Sequence, residues 1–241
     1  MSIAFLNDNF LPLEQAKISP LDRGFLFGDG IYEVVPSYHG KLLGFNAHLD
    51  RMRTGLEGIN LQLGWSHEKW KSVCNELCNQ NGNGNLGLYL QVSRGADIKR
   101  YHAFPENVKP TVFGFAFEIG ASPSSDKDSA KTFSVSTAED LRWQRCHIKS
   151  TALLGNVLHF QYGHENGDDE TILYNDRHEL TEAAACNVFI VKNRVISTPP
   201  LDNQLLPGIT RNLLIDILKK HSNLDIQERV VHMNEVNNAD E

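Results

Sequence analysis

Three short stretches of this chain carry residues whose types and spacing could do chemistry. In IKSTALLGNVL (148–158), Lys149 stands between Ile148 and Ser150 at the entrance to an apolar helix. A lysine partly withdrawn from water there would lose basicity and become a nucleophilic amine. The alternative is a surface lysine whose stem covers apolar neighbours. In LLPGITRNLLIDIL (205–218), Pro207-Gly208 breaks the chain just before a helix, with Ile209 and Thr210 in its first turn. Unpaired N–H groups at such an end, joined by a hydroxyl, suit an anion, although most helix starts are merely capped and bind nothing. In HELTEAAACNVFIV (178–191), Glu182 lies between a strand and a run of small residues. Its carboxylate could pair with a buried cation or cap a turn.

The elements that must position these residues follow from periodicity. IYEVVPSY (31–38) alternates and is β-branched, so it reads as a strand. Leu49, Met52, Leu56 and Ile59 make a helical stripe over 46–59, and 66–80 reads as a second helix ended by NGNGN (81–85). LGLYLQVSRG (86–95) and PTVFGFAFEIG (110–120) read as adjacent strands. ASPSSDKDSA (121–130) has the composition of an exposed linker. Beyond it come a strand at 131–137, a helix over 151–165, and strands at 170–175, 186–191 and 194–197. A last helix begins near Ile209, with Leu213, Leu214, Ile217 and Leu218 on its apolar face. The expected architecture is α/β (α+β), with two domains, 1–120 and 131–241, meeting at a cleft of the kind that holds ligands.

Composition narrows the function further. The net charge of −7 argues against nucleic acid or an anionic membrane surface as the main partner. Asp8 and Glu14 interrupt the N-terminus, so no secretory signal is expected, and no apolar run is long enough to span a bilayer. Cys74, Cys78, Cys146 and Cys186 lack CxxC spacing, and Cys74 and Cys78, four apart on a helix, suit core packing better than a metal. His159 and His164 are five apart, off the one-face spacing of a metal pair. The expectation is a cytoplasmic protein with reduced thiols and no bound metal.

A nucleophilic lysine, a phosphate cradle and a buried acid form together the set that pyridoxal phosphate requires. The chain resembles the fold-type IV pyridoxal-phosphate enzymes, which include branched-chain aminotransferases, D-amino-acid aminotransferases and aminodeoxychorismate lyases. The resemblance runs almost end to end, through DRGFLFGDGIYEVV (22–35), HLDRM (48–52), LRWQRCHIKS (141–150), TEAAACNVFIV (181–191) and LLPGITR (205–211), in the right order. It implies a two-domain fold with the cofactor at the domain interface and Lys149 as the Schiff-base lysine and proton carrier. It further implies that Glu182 faces the pyridine nitrogen and that Leu206 packs on the ring. Arg51, Gly208, Ile209 and Thr210 would then hold the phosphate.

The resemblance also bears on substrate. RGADIKRYHAFPENVKP (94–110) carries Arg100-Tyr101-His102, which is similar to the Arg-x-His pair of D-amino-acid aminotransferases. That pair, with a tyrosine matching Tyr32, captures the substrate carboxylate, and the loop comes from the neighbouring subunit. The implied activity is transamination between D-amino acids and 2-oxo acids in a homodimer. The alternatives are aminodeoxychorismate lyase, a branched-chain-type aminotransferase, or a cofactor-binding dimer without turnover. Two departures bear on these alternatives. Ala184, Ala185 and Cys186 stand where some D-amino-acid aminotransferases carry serines, and the second domain, ending at NEVNNADE, reads as lacking the family's final segment.

Overall fold

The computed structural model describes residues 2–124 and 126–241; Met1 and Ser125, the latter within the expected linker, lie outside the described residues. The chain divides into two compact units, one of residues 1–127 with 148–152, the other of 128–147 with 153–241.

The first unit opens with a hairpin of β1 (Ile3–Leu6) and β2 (Asn9–Pro12). It continues through α1 (Arg23–Phe27), β3 (Gly30–Tyr38), β4 (Lys41–Leu42), α2 (Phe45–Gly58), α3 (His67–Gln80), β5 (Asn85–Ser93) and β6 (Thr111–Glu118). The strands form one antiparallel sheet in the order β2-β1-β6-β5-β3-β4. Alternation along β3 sends Ile31, Glu33, Val35 and Ser37 to the buried face. There Ile31 and Val35 join Leu88, Leu90 and Val92 of β5, Leu49, Met52 and Leu56 of α2, and Val73 and Leu77 of α3 in one core. Cys74 and Cys78 pack in this core as small apolar groups.

The segment 148–152 is added to this sheet beside the start of β3. Ile31 bridges Ser150, the Tyr32 N–H donates to the Lys149 carbonyl at 2.9 Å, and the Thr151 N–H donates to the Gly30 carbonyl at 2.9 Å. Extended pairing explains why the helix expected from residue 151 begins only at Leu154: Thr151 is committed to the sheet edge. Close approach is required here, since a Cβ on Gly28 (φ +66°) would meet the Ala152 backbone at 2.9 Å.

The second unit contains β7 (Val135–Glu139), α4 (Leu154–Glu165), β8 (Glu170–Tyr174), β9 (Leu180–Ala183), β10 (Ile190–Lys192), β11 (Val195–Thr198), α5 (Ile209–His221), β12 (Asp225–Glu228) and α6 (Met233–Asn237). Two small sheets result, β7-β8-β9 and β10-β11-β12. The pairs β7/β8 and β11/β12 are parallel and are joined through α4 and α5, as parallel pairing demands a crossover.

Two expectations need correction. Residues 186–191 do not form one strand: after β9 the Ala183 N–H turns back to the Cys186 carbonyl at 2.7 Å, and pairing resumes only at Ile190. The buried face of α5 also differs from the expected one. Helix α5 buries Ile209, Arg211 and Ile215, leaving Leu214 and Ile217 exposed. A buried Arg211, anchored to Glu228 and the Pro199 carbonyl, turns the helix away from its most apolar side.

Candidate active site

In the first unit, Lys149 is half-buried between the buried Ile148 and Ser150, so the strand-like alternation turns its side chain opposite to theirs. Its Nζ donates to the Tyr32 hydroxyl at 3.2 Å and lies 4.3 Å from the centroid of that ring. Tyr32 in turn stacks on Tyr89, centroids 5.5 Å apart. Burial pushes the Tyr89 phenol up to about 12, so it remains a protonated neighbour.

Arg51 sits on α2 with one guanidinium edge on Glu33, Nε to Oε1 and Nη2 to Oε2 each at 2.7 Å. His48, one turn earlier, adds its Nδ1 to Glu33 Oε2 at 2.7 Å. Burial alone would raise the fully buried Glu33 carboxyl, but Arg51 and His48 together bring it below its ordinary range. Sequence reasoning missed Glu33, although an acid on the inward face of an alternating strand is the signal of a paired buried charge.

Arg100 and His102 are exposed on the loop between β5 and β6 and both approach Phe27: the Arg100 guanidinium is 5.5 Å above the ring, and the His102 ring is 5.3 Å from it. Among the described residues, no hydrogen bond or ring contact joins this pair to Tyr32.

In the second unit, Glu182 on β9 is 5% exposed. Oε1 accepts from Arg142 Nη1 at 2.5 Å; Oε2 accepts from the Leu206 N–H at 3.1 Å and Asn187 Nδ2 at 3.2 Å. Arg142 is clamped by Asp140, Nε to Oδ1 at 2.9 Å and Nη2 to Oδ2 at 2.7 Å, and the Thr181 hydroxyl also donates to Asp140. Burial raises the Glu182 carboxyl above its ordinary value, with Arg142 opposing, while Arg142 itself is held protonated. Arg142, Asp140 and Asn187 were also missed; the partners of Arg142 and Asn187 in this cluster include residues distant in sequence, which periodicity does not reveal.

Gly208 caps the thirteen-residue α5 without any side-chain cap, and Thr210 is exposed in the first turn. A Cβ on Gly208 would collide with the Asn187 amide, so glycine is what lets that side chain pack against the start of the helix. The structure thus joins Glu182, Leu206 and Gly208 through Asn187, which also donates to the Leu206 carbonyl at 2.9 Å.

Comparison with known proteins decides the family. The profile described as Amino-transferase class IV matches residues 30–241. This chain belongs to the class IV aminotransferases. D-alanine aminotransferase of Staphylococcus haemolyticus is 37% identical over 242 residues, spanning 100% of this chain and 84% of that protein. D-alanine aminotransferase of Listeria innocua is 35% identical over 238 residues, with 98% of this chain and 81% of that protein covered. Among solved structures, a T.th. branched-chain amino acid aminotransferase complexed with N-(5'-phosphopyridoxyl)-L-glutamate superposes with TM-score 0.88 at 20% identity, covering 99% of this chain and 79% of that one. That likeness establishes the fold-type IV architecture. As a class IV member, this aminotransferase depends on pyridoxal phosphate. Each unit by itself carries groups of the kinds that cofactor uses: a primary amine beside a phenol in the first, and a buried carboxylate and a helix end without a side-chain cap in the second. Among its described residues, no helix is long and apolar enough to cross a membrane.

The paired carboxylates of the first unit give this aminotransferase a predictable acid response. Asp29 binds Arg23 and Arg94, and these partners lower its pKa against burial, as Arg51 and His48 do for Glu33. A folded pKa below the unfolded one gives stability that is complete above the ordinary values of 3.8 and 4.5 and is lost as pH falls through the folded values. Asp29→Asn is expected to lower stability at pH 7 and to flatten the acid limb of a circular-dichroism titration. An acid limb identical to the parent's would count against this assignment.

Proposed function

We propose that this enzyme exchanges amino groups between D-amino acids, such as D-alanine, and 2-oxo acids. The observation that carries this reading is the loop that presents Arg100 and His102, exposed and both set against Phe27, in a chain that is 35–37% identical over nearly its whole length to D-alanine aminotransferases. A guanidinium offers a planar fork to a carboxylate, and an imidazole adds a donor.

When bound, pyridoxal phosphate supplies an electrophilic carbonyl and a ring that accepts the electron pair left when the substrate Cα proton departs. Lys149 is the residue we assign as its covalent anchor. Its amine, once freed by substrate, would carry the proton between the substrate Cα and the cofactor C4′. Tyr32 orients that amine through the 3.2 Å hydrogen bond and contributes its hydroxyl to the substrate carboxylate. Glu182 would hold a proton at the ring nitrogen, its own position fixed by Arg142, Asn187 and the Leu206 N–H. Leu206 would pack on the ring. Arg51, with the N–H groups of Gly208, Ile209 and Thr210 and the Thr210 hydroxyl, would hold the phosphate. The active form is a homodimer in which Arg100 and His102 serve the neighbouring subunit's substrate.

Visible absorbance tests the reading. The yellow colour of the lysine-bound cofactor should disappear on adding D-alanine and persist with L-alanine. Bleaching by L-alanine alone would reverse the stereochemical assignment, and a band that neither isomer shifts would point to the lyase. Arg100→Ala should raise KM for amino and oxo acids by about 10-fold to 100-fold with kcat little changed, because charge-assisted contacts to the substrate are lost. An unaltered KM would show that the loop does not bind the carboxylate.

A further inference from the structure

The Arg100–His102 loop is long, exposed and polar, and Tyr101 is 65% exposed. Such a segment loses much of its value as a carboxylate receptor if it must be ordered anew for each substrate. Its backbone is nevertheless held from beneath by one buried side chain. Arg23, 3% exposed at the start of α1, donates Nη1 to the Tyr101 carbonyl at 2.6 Å and Nη2 to the His102 carbonyl at 3.1 Å. Its remaining edge is fixed by Asp29, Nε to Oδ2 at 2.7 Å. Arg94, at the root of the loop, grips the same carboxylate, Nε to Oδ2 at 2.8 Å and Nη2 to Oδ1 at 3.0 Å. Arg94 also covers the face of Phe104 at 3.7 Å, which anchors the far side of the loop.

The frame beneath these residues is itself tied together by hydrogen bonds. Asp22 caps α1 through the Gly24 N–H at 2.8 Å and accepts the hydroxyls of Ser93 at 2.7 Å and Thr111 at 2.6 Å, tying the helix to both strands that bear the loop. The Arg23 N–H donates to the Gly95 carbonyl at 2.9 Å. Phe27, one turn along α1, is the ring shared by Arg23 at 4.8 Å, Arg100 at 5.5 Å and His102 at 5.3 Å.

We propose that Arg23 is a positioning residue for substrate carboxylates: by fixing two consecutive peptide carbonyls it sets the directions in which Arg100 and His102 project. The inference rests on the reading of that loop as the carboxylate receptor. A lysine at the same place keeps the charge but cannot hold Asp29 and two carbonyls in one plane.

The test compares the holoenzymes of Arg23→Met, Arg23→Lys, Arg100→Ala and the double variant Arg23→Met/Arg100→Ala, with D-alanine and 2-oxoglutarate as substrates. Arg23→Met should raise both KM values by about tenfold or more with kcat nearly unchanged, and Arg23→Lys should fall between it and the parent. Because Arg23 acts through Arg100 and His102, the double variant should be little weaker than Arg100→Ala, well short of the product of the two effects. Trypsin should also cut after Lys99 or Arg100 at least about tenfold faster in Arg23→Met, as expected for a loop whose local opening has become easier. Multiplicative KM effects, or an unchanged KM in Arg23→Met while Arg100→Ala raises it, would overturn the proposal. No KM change in Arg100→Ala would overturn the loop reading itself, and this inference with it. If neither Arg23 variant folds, Phe104→Ala, at an exposed anchor of the same loop, carries the test: a KM rise of roughly threefold or more at constant kcat supports the proposal, and an unchanged KM overturns it.

Discussion

Lys149→Ala is expected to abolish transamination while leaving the protein folded. Both halves of that statement follow from how the residue is placed. The neighbours Ile148 and Ser150 are buried, and the strand-edge hydrogen bond at this position, donated by the Tyr32 N–H, is accepted by the Lys149 carbonyl, which alanine retains. What disappears is the amine beside Tyr32, half-buried and not part of the core. On the proposed mechanism that amine is both the covalent anchor and the only group that carries the Cα proton, so kcat should fall by at least about 10²–10⁴, the usual contribution of a positioned acid–base group. Turnover with D-alanine and a thermal melt of the same preparation check the two halves together. A variant that melts like the parent and still turns over within a factor of about ten would remove Lys149 from the chemistry.

How much of this could be read without coordinates varies with the range of the interaction. Strand β3 and the apolar stripe of α2 were legible, because their periodicity is local and the core follows it. The N-terminal hairpin was readable in principle: Asn7 and Asp8 both take positive φ, the signature of a two-residue turn, but the strands it joins have only four residues each. Strand 186–191 failed for another reason. Its β-branched and aromatic residues suggested pairing, while the turn from Ala183 to Cys186 takes up the backbone hydrogen bonds first. The face of α5 failed because a buried arginine takes the place of Leu214 and Ile217, while Leu213 and Leu218 are only half-buried.

The candidate site divides in the same way. Lys149, Glu182 and the glycine before α5 were visible as residue types in suggestive settings. Their supports were not. Glu33 answers to residues fifteen and eighteen positions away, Arg142 to Glu182 forty positions away, and Arg23 to a loop nearly eighty positions away. Only Glu33 carried a local signal, a charge on the inward face of an alternating strand, and that signal was missed. A buried ion pair needs a partner from another element, and a single sequence does not say which element supplies it.

The largest expected loss of stability comes from Arg142→Met. The methionine fills much of the same volume, but the substitution leaves Glu182 and Asp140, both close to fully buried, without their guanidinium. Removing one partner of a buried charge cluster typically costs about 3–5 kcal/mol, more than the pair contributes over an apolar replacement of both sides. The pH dependence identifies the cause. Glu182 already has a folded pKa raised by burial, so its contribution to stability is complete below its ordinary value of 4.5 and is lost as pH rises through the folded value. Without Arg142 that folded value rises further, and Asp140 loses the partner that now holds it low. The deficit of Arg142→Met should therefore be greatest near neutral pH and shrink on acidification, as the stranded carboxyls take up protons. Adding Glu182→Gln to Arg142→Met should restore part of the loss at pH 7, because it removes one of the two uncompensated charges. Urea melts of the parent and both variants at pH 7 and pH 5 measure this. A deficit that is the same at both pH values would mean that lost packing, and not stranded charge, is what Arg142 prevents.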